Sequence, residues 1–248
     1  MPHPSEEKPR PPKDFAKALA APEPLLIVGG QAVNLWALYY EDQTRDLAPF
    51  VSRDADVLGD RATLELLGKL SGAKPQFFPL KPPSNEVGVV IAADPNGAPL
   101  LIEVLRYVKG ATNEELRHPA YEFVIGESQV RVQAPGPIAL LQAKAANLAE
   151  IRPAGRQDAR HVLILARVLP TYLHDLRASA AAGRMEERKL LEFLERLLAV
   201  VVSDHGRKAC AVLKIDPRSL FAQLDSSGLS KMKTFLEKRM PRVLKQKP

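Results

Sequence analysis

Apolar and polar positions fall into two regimes along this chain. Up to about residue 134, short apolar runs alternate with amphipathic stretches, and from Pro135 onward one helical spacing follows another. Leu25-Leu26-Ile27-Val28 is a continuous apolar run of strand length, and it ends at Gly29-Gly30. It predicts a short buried strand that turns into a helix. Residues 31–40 carry Val33, Trp36, Ala37 and Tyr40 at helical spacing. The polar residues 42–49 read as a loop, and residues 50–58 read as a strand. Residues 61–70 place Leu64, Leu67 and Leu70 on one face of an amphipathic helix. Two more apolar strands, 87–93 and 100–107, flank Asp94-Pro95-Asn96-Gly97, which has the composition of a hairpin turn. Residues 122–132 add a further strand or a pair. A first helix is expected at 14–20.

After residue 135 the pattern predicts helices at 137–150, 157–168, 184–204 and 230–243, with a looser helical region before the last. Pro137 suits the first position of its helix. The expectation is an α+β chain. A proline-rich arm, 1–12, is read as disordered; an α/β domain occupies 13–134, and a helical domain 135–248.

Charge and cysteine usage add little to this. The formal net charge of +6 is mildly suggestive of a polyanionic partner. The one cysteine, Cys210, excludes an internal disulfide and fits a reducing compartment. The N-terminal arm lacks an apolar core and does not read as a signal peptide. The apolar run near residues 197–202 is too short to span a bilayer. A cytoplasmic protein without a membrane partner is therefore expected. The five histidines show no metal-ligand spacing and read as structural or surface residues. The basic stretch 231–247 reads as a solvated helix face or an RNA contact.

The chemistry concentrates in Ser52-Arg53-Asp54-Ala55-Asp56-Val57. Side chains alternate along a strand, so Asp54 and Asp56 project side by side. Two adjacent carboxylates repel unless a cation or a proton lies between them. Hard oxygen ligands suit magnesium or manganese. Glu103, inside the apolar run 100–105, is costly to bury without a partner, which proximity to the aspartates or a metal would provide. Two carboxylates on one strand and a third on a neighbour form a two-metal design for phosphoryl chemistry. The Gly29-Gly30 turn would expose backbone N–H groups at a helix start, a cradle for phosphates. Ser52 and Arg53 could add a hydroxyl and a cation there.

Together, Gly29-Gly30, Asp54-x-Asp56 and Glu103 resemble the polymerase-β-like nucleotidyltransferase superfamily. Leu141 and Lys144 on the following helix, then Arg156-Gln157-Asp158 opening the next, resemble its AbiEii-type branch, the toxin side of some bacterial toxin–antitoxin pairs. The resemblance spans roughly residues 25–169. It implies a nucleotidyltransferase fold with a C-terminal helical domain, and transfer of a nucleoside monophosphate from an NTP to a hydroxyl. Asp54, Asp56 and Glu103 would be metal ligands, with Glu103 a candidate base. Gly29, Gly30, Ser52, Arg53 and Lys144 would hold phosphates, and Asp158 would orient Lys144. An RNA acceptor such as tRNA and an antitoxin protein are the implied partners.

Each residue also has a plainer reading. Asp54 and Asp56 could be solvated at a strand end, and Glu103 could face water on an edge strand. Lys144 and Asp158, both inward by spacing, could form a structural ion pair. Two other functions remain: a small-molecule nucleotidyltransferase of the aminoglycoside-modifying kind, and a non-catalytic nucleotide-binding module.

Overall fold

A computed structural model of the chain describes residues 8–81, 84–94, 96–151 and 156–245. It has an α+β architecture, in which a mixed seven-stranded sheet is flanked by helices. The apolar run Leu25–Val28 is strand β1, and helix α1 follows at once as Gly29–Tyr39. A short helix α2, Glu41–Thr44, and a 3₁₀ turn, Arg45–Leu47, occupy the segment expected to be a loop. Thr44 accounts for the difference. Its buried hydroxyl donates to the carbonyls of Ala37 (2.7 Å) and Tyr40 (3.1 Å), folding the segment back onto the end of α1.

Strand β2 is Asp54–Leu58, shorter than the expected 50–58, because Ser52 pairs instead with Arg10 in an isolated antiparallel bridge. Helix α3, Arg61–Ser71, starts at a capping box between Asp60 and Thr63. A two-residue strand β3, Gln76–Phe77, has no sequence signal at that length. The hairpin strands are β4, Glu86–Ala93, and β5, Pro99–Leu105. Between them the Asp94 carboxylate accepts from the N–H groups of Asn96 and Ala98, both at 2.8 Å, while Pro95 lies outside the described residues. After a short helix α4, Asn113–Arg117, the expected "strand or pair" is a pair: β6, Ala120–Ile125, and β7, Val130–Pro135.

Strand order across the sheet is β3-β4-β5-β2-β1-β7-β6. Strand β2 lies between β5, to which it is parallel, and β1, to which it is antiparallel. The register sets Asp56 opposite Glu103. Paired residues project to the same side of a sheet, so the carboxylates on β2 and β5 are brought together by pairing alone.

The C-terminal helices are α5, Pro137–Glu150; α6, Asp158–Ala181; α7, Glu187–Val202; and α8, Asp204–Leu213. The last stretch runs through α9, Ser230–Thr234, a π-helical turn, Phe235–Arg239, and α10, Met240–Lys245. Helix α6 outruns the expected end at residue 168 and passes through Pro170. A proline inside a helix costs about 3 kcal/mol. Leu169, Tyr172 and Leu173 are all buried around it, and their packing outweighs that cost. Among the described residues no helix is long and apolar enough to cross a membrane.

Two other expectations at the N-terminus change. The predicted helix 14–20 is two 3₁₀ turns, Pro12–Phe15 and Lys17–Leu19; so short a segment cannot offset the cost of α-helix nucleation. Of the arm expected to be disordered, residues 1–7 lie outside the described residues, but Arg10 is tied down. Its backbone exchanges hydrogen bonds with Ser52 (2.7 and 3.0 Å), its carbonyl accepts from the Gln31 side chain (3.0 Å), and its guanidinium meets Asp94 at 3.1 Å.

Trp36 joins α1 to the sheet and to α6. Its Nε1 donates to the Pro135 carbonyl at 2.8 Å, and the rings of Tyr40, Tyr121, Phe123 and Tyr172 surround it. Tyr40 in turn donates to Asp175 at 2.7 Å. Because one buried ring holds three elements, Trp36→Ala is expected to destabilise the protein by about 3–5 kcal/mol in urea denaturation. Trp36→Phe, which keeps ring packing and loses the hydrogen bond, should cost less.

Candidate active site

The backbone of β1 and α1 shapes one wall of a cleft of about 560 Å³. At Gly29 the chain turns with φ +65°, a left-handed conformation that favours glycine. A Cβ there would lie 1.7 Å from Asp56 Oδ2. A Cβ on Gly30 would come within 2.7 Å of Ser52 Oγ and 3.2 Å of His161 Cε1. The glycine pair therefore lets the start of α1 approach the carboxylates closely. No side chain caps that helix start, so it keeps the positive end of its dipole for whatever occupies the cleft.

All nine residues singled out by sequence line this cleft: Gly29, Gly30, Ser52, Arg53, Asp54, Asp56, Glu103, Lys144 and Asp158. Asp54 and Asp56 alternate with the fully buried Ala55 and Val57, so both carboxylates turn to the cleft side of β2. Burial first, then the negative fields of Asp54 and Glu103, push the Asp56 carboxyl well above its ordinary range; Lys144 and Arg156 offset part of this. The Ser52 hydroxyl donates to Asp54 Oδ1 at 3.0 Å, so it steadies that carboxylate.

Lys144 and Asp158 form a buried ion pair, Nζ to Oδ1 at 3.2 Å. The second oxygen of Asp158 accepts from Arg156 Nε at 2.6 Å. Burial alone would raise the Asp158 carboxyl. Lys144 and Arg156 outweigh it and hold the group below the usual range. Asp158 opens α6 and Lys144 lies midway along α5, so the pair also pins these two helices together.

Two residues not singled out by sequence stand in the same cleft with buried polar atoms unpartnered among the described residues. Both ring nitrogens of His161 and Oδ1 of Asn147 make no hydrogen bond. Burial and the neighbouring Lys144 press His161 down to about 3, so its ring is neutral. The signal for them was spacing: Asn147 follows Lys144 by three residues, and His161 follows Asp158 by three, which places each on its partner's helix face.

Among the described residues, no three His, Cys, Asp or Glu side chains close into a metal cage. The donor chemistry still fits a hard divalent cation. Magnesium keeps several waters and binds through one or two carboxylates plus substrate phosphates, so it does not require a cage of protein ligands. The specific observation is geometric: the register sets Asp56 opposite Glu103 with Asp54 on the same face of β2, so three carboxylates converge on one cleft.

Comparison of the chain with protein-family models, with curated proteins and with solved structures found no match.

The electrostatics predict how stability depends on pH. The folded Asp56 holds its proton more tightly than the unfolded chain does. Its stabilising contribution is complete below the ordinary carboxylate range and is lost as pH rises through the raised value. Asp56→Asn, neutral at every pH, should therefore melt higher than wild type at neutral pH without divalent cations, and the advantage should vanish in acid. Thermal melts in a chelator at both pH values check this. His161→Leu removes two unsatisfied nitrogens and keeps apolar bulk. It should leave the ligand-free protein equally stable or more stable by up to about 1–3 kcal/mol in urea denaturation. A clear loss would mean that the ring nitrogens are bonded.

Proposed function

We propose that this chain is a divalent-metal-dependent nucleotidyltransferase, with residues 13–134 as its nucleotidyltransferase fold and 135–248 as a helical domain. It moves a nucleoside monophosphate from an NTP to a hydroxyl acceptor, for which RNA such as tRNA is the leading candidate. An antitoxin-type protein partner and a cytoplasmic setting follow from the AbiEii-type resemblance. The observation that carries the reading is the register of β2 on β5. It puts Asp56 opposite Glu103, with Asp54 on the same face, in a cleft walled by an uncapped helix start and a buried lysine.

Asp54, Asp56 and Glu103 would hold the magnesium or manganese, which when bound supplies charge neutralisation and a lowered pKa for a bound hydroxyl. The acceptor hydroxyl attacks the α-phosphorus, its proton passes to Glu103, and the bond to pyrophosphate breaks. Backbone N–H groups at the start of α1 receive the leaving phosphates. Lys144 neutralises the charge that builds on them. Arg156 makes this possible without stranding a buried anion. Its own contact keeps Asp158 paired when Lys144 turns toward the phosphates. Arg53 lines the cleft beside the carboxylates and adds positive charge for the same phosphates.

Incubation with each labelled NTP, magnesium and total RNA tests the reading. Wild type should transfer label to an RNA species. Asp56→Ala should reduce transfer by about 10²-fold or more, while folding as judged by circular dichroism. Absence of label from RNA, protein and small-molecule pools alike would sink the proposal.

A further inference from the structure

Beyond Glu103, the cleft is lined by a side chain that none of these roles uses. Tyr107 is 50% exposed and lines the same cleft. Glu103 and Leu105 share one side of β5, and Tyr107, which follows a bend at Arg106, lines the cleft with both. Its ring is open. The ring–ring contacts of the described residues gather around Trp36 and within the C-terminal helices, and the cation–ring contacts fall on Phe77 and Phe193. Asn85 and Glu86 line the cleft beside it, an amide and a carboxylate able to meet the polar edge of a flat ring.

We propose that Tyr107 is the platform on which a nucleobase of an RNA acceptor stacks. The proposal rests on the nucleotidyltransferase reading and names the acceptor side of that site. Strand order separates the two substrates. The glycine turn lies beyond β1, the aspartates lie on β2, and Glu103 and Tyr107 lie on β5 and just past its end, across the aspartates from the phosphate cradle. The incoming triphosphate occupies the β1 side. The acceptor, whose hydroxyl must reach Glu103, therefore enters over β5 and meets Tyr107 on the way. An open aromatic ring suits this, because every base has a face to stack, and a stacked base gains about 5- to 150-fold in affinity.

The test uses the full chain, magnesium and a short single-stranded RNA whose 3′-terminal base is 2-aminopurine. Wild type and Tyr107→Phe should quench the fluorophore. Tyr107→Ala should lose the quenching and bind about 5- to 150-fold more weakly, while all three bind magnesium–NTP equally. Tyr107 is exposed, so the variants should fold; matching melting curves confirm it. Unchanged RNA affinity and quenching in Tyr107→Ala overturns the platform. So does a loss of NTP affinity in Tyr107→Ala, which would give the stacked base to the NTP. Transfer by wild type to a cationic sugar, with no RNA binding, overturns it too. Failure of wild type to bind any NTP with magnesium strikes the nucleotidyltransferase reading instead, so the two failures are separable.

Discussion

The approach of Asp56 to the start of α1 is the constraint on which the rest of the cleft depends. With 1.7 Å between Asp56 Oδ2 and the place where a Cβ would stand, residue 29 has no room for any side chain. The left-handed turn at that residue adds a second, independent demand for glycine. The close approach of strand β2 to the junction of strand β1 and helix α1 thus depends on glycine at residue 29. Gly30 extends the close approach to Ser52 and His161, so the same two residues also set how near α6 can come.

Charge in the cleft is arranged by strand and helix. The facing carboxylates Asp54, Asp56 and Glu103 come from β2 and β5, and the buried cation Lys144 comes from α5. Asp158 divides its two oxygens between Lys144 and Arg156. Removing one partner of a buried pair usually leaves an uncompensated charge and costs several kcal/mol. The shared carboxylate limits that penalty. This makes the Lys144–Asp158 contact compatible with both a structural tie and a movable lysine, whereas a buried pair with no third member would favour the tie alone.

The strands bearing the carboxylates, the glycine turn and helix 137–150 were legible in the sequence because each depends on local pattern. Alternation around Ala55 and Val57 placed Asp54 and Asp56 on one face, and helical spacing around Leu141 turned Lys144 inward. What stayed hidden depends on contacts distant in sequence. Nothing near Arg10 announces that Ser52 and Asp94 will hold it. Nothing near Pro170 shows that packing on Tyr172 and Leu173 will carry a helix through a proline. His161 was read as an ordinary histidine because no metal-ligand spacing marks it; spacing from Asp158 gives its helix face, but its place beside Gly30, more than a hundred residues earlier in the chain, comes from the fold.

The same strand order has a consequence for how the molecule comes into being. Strand β1 pairs on one side with β2 and on the other with β7, whose residues arrive about a hundred positions later. The cleft then waits for α5 and the first turns of α6 to close it. Contacts of such long sequence separation form late, after their loop-closure entropy has been met. On a ribosome, the glycine turn and the aspartates emerge well before Lys144, Asp158 and His161. The nascent chain therefore carries the carboxylates of β2 and β5 before Lys144 and Arg156, which offset the charge at Asp56, exist, and the complete site is among the last features of the sheet and its covering helices to assemble.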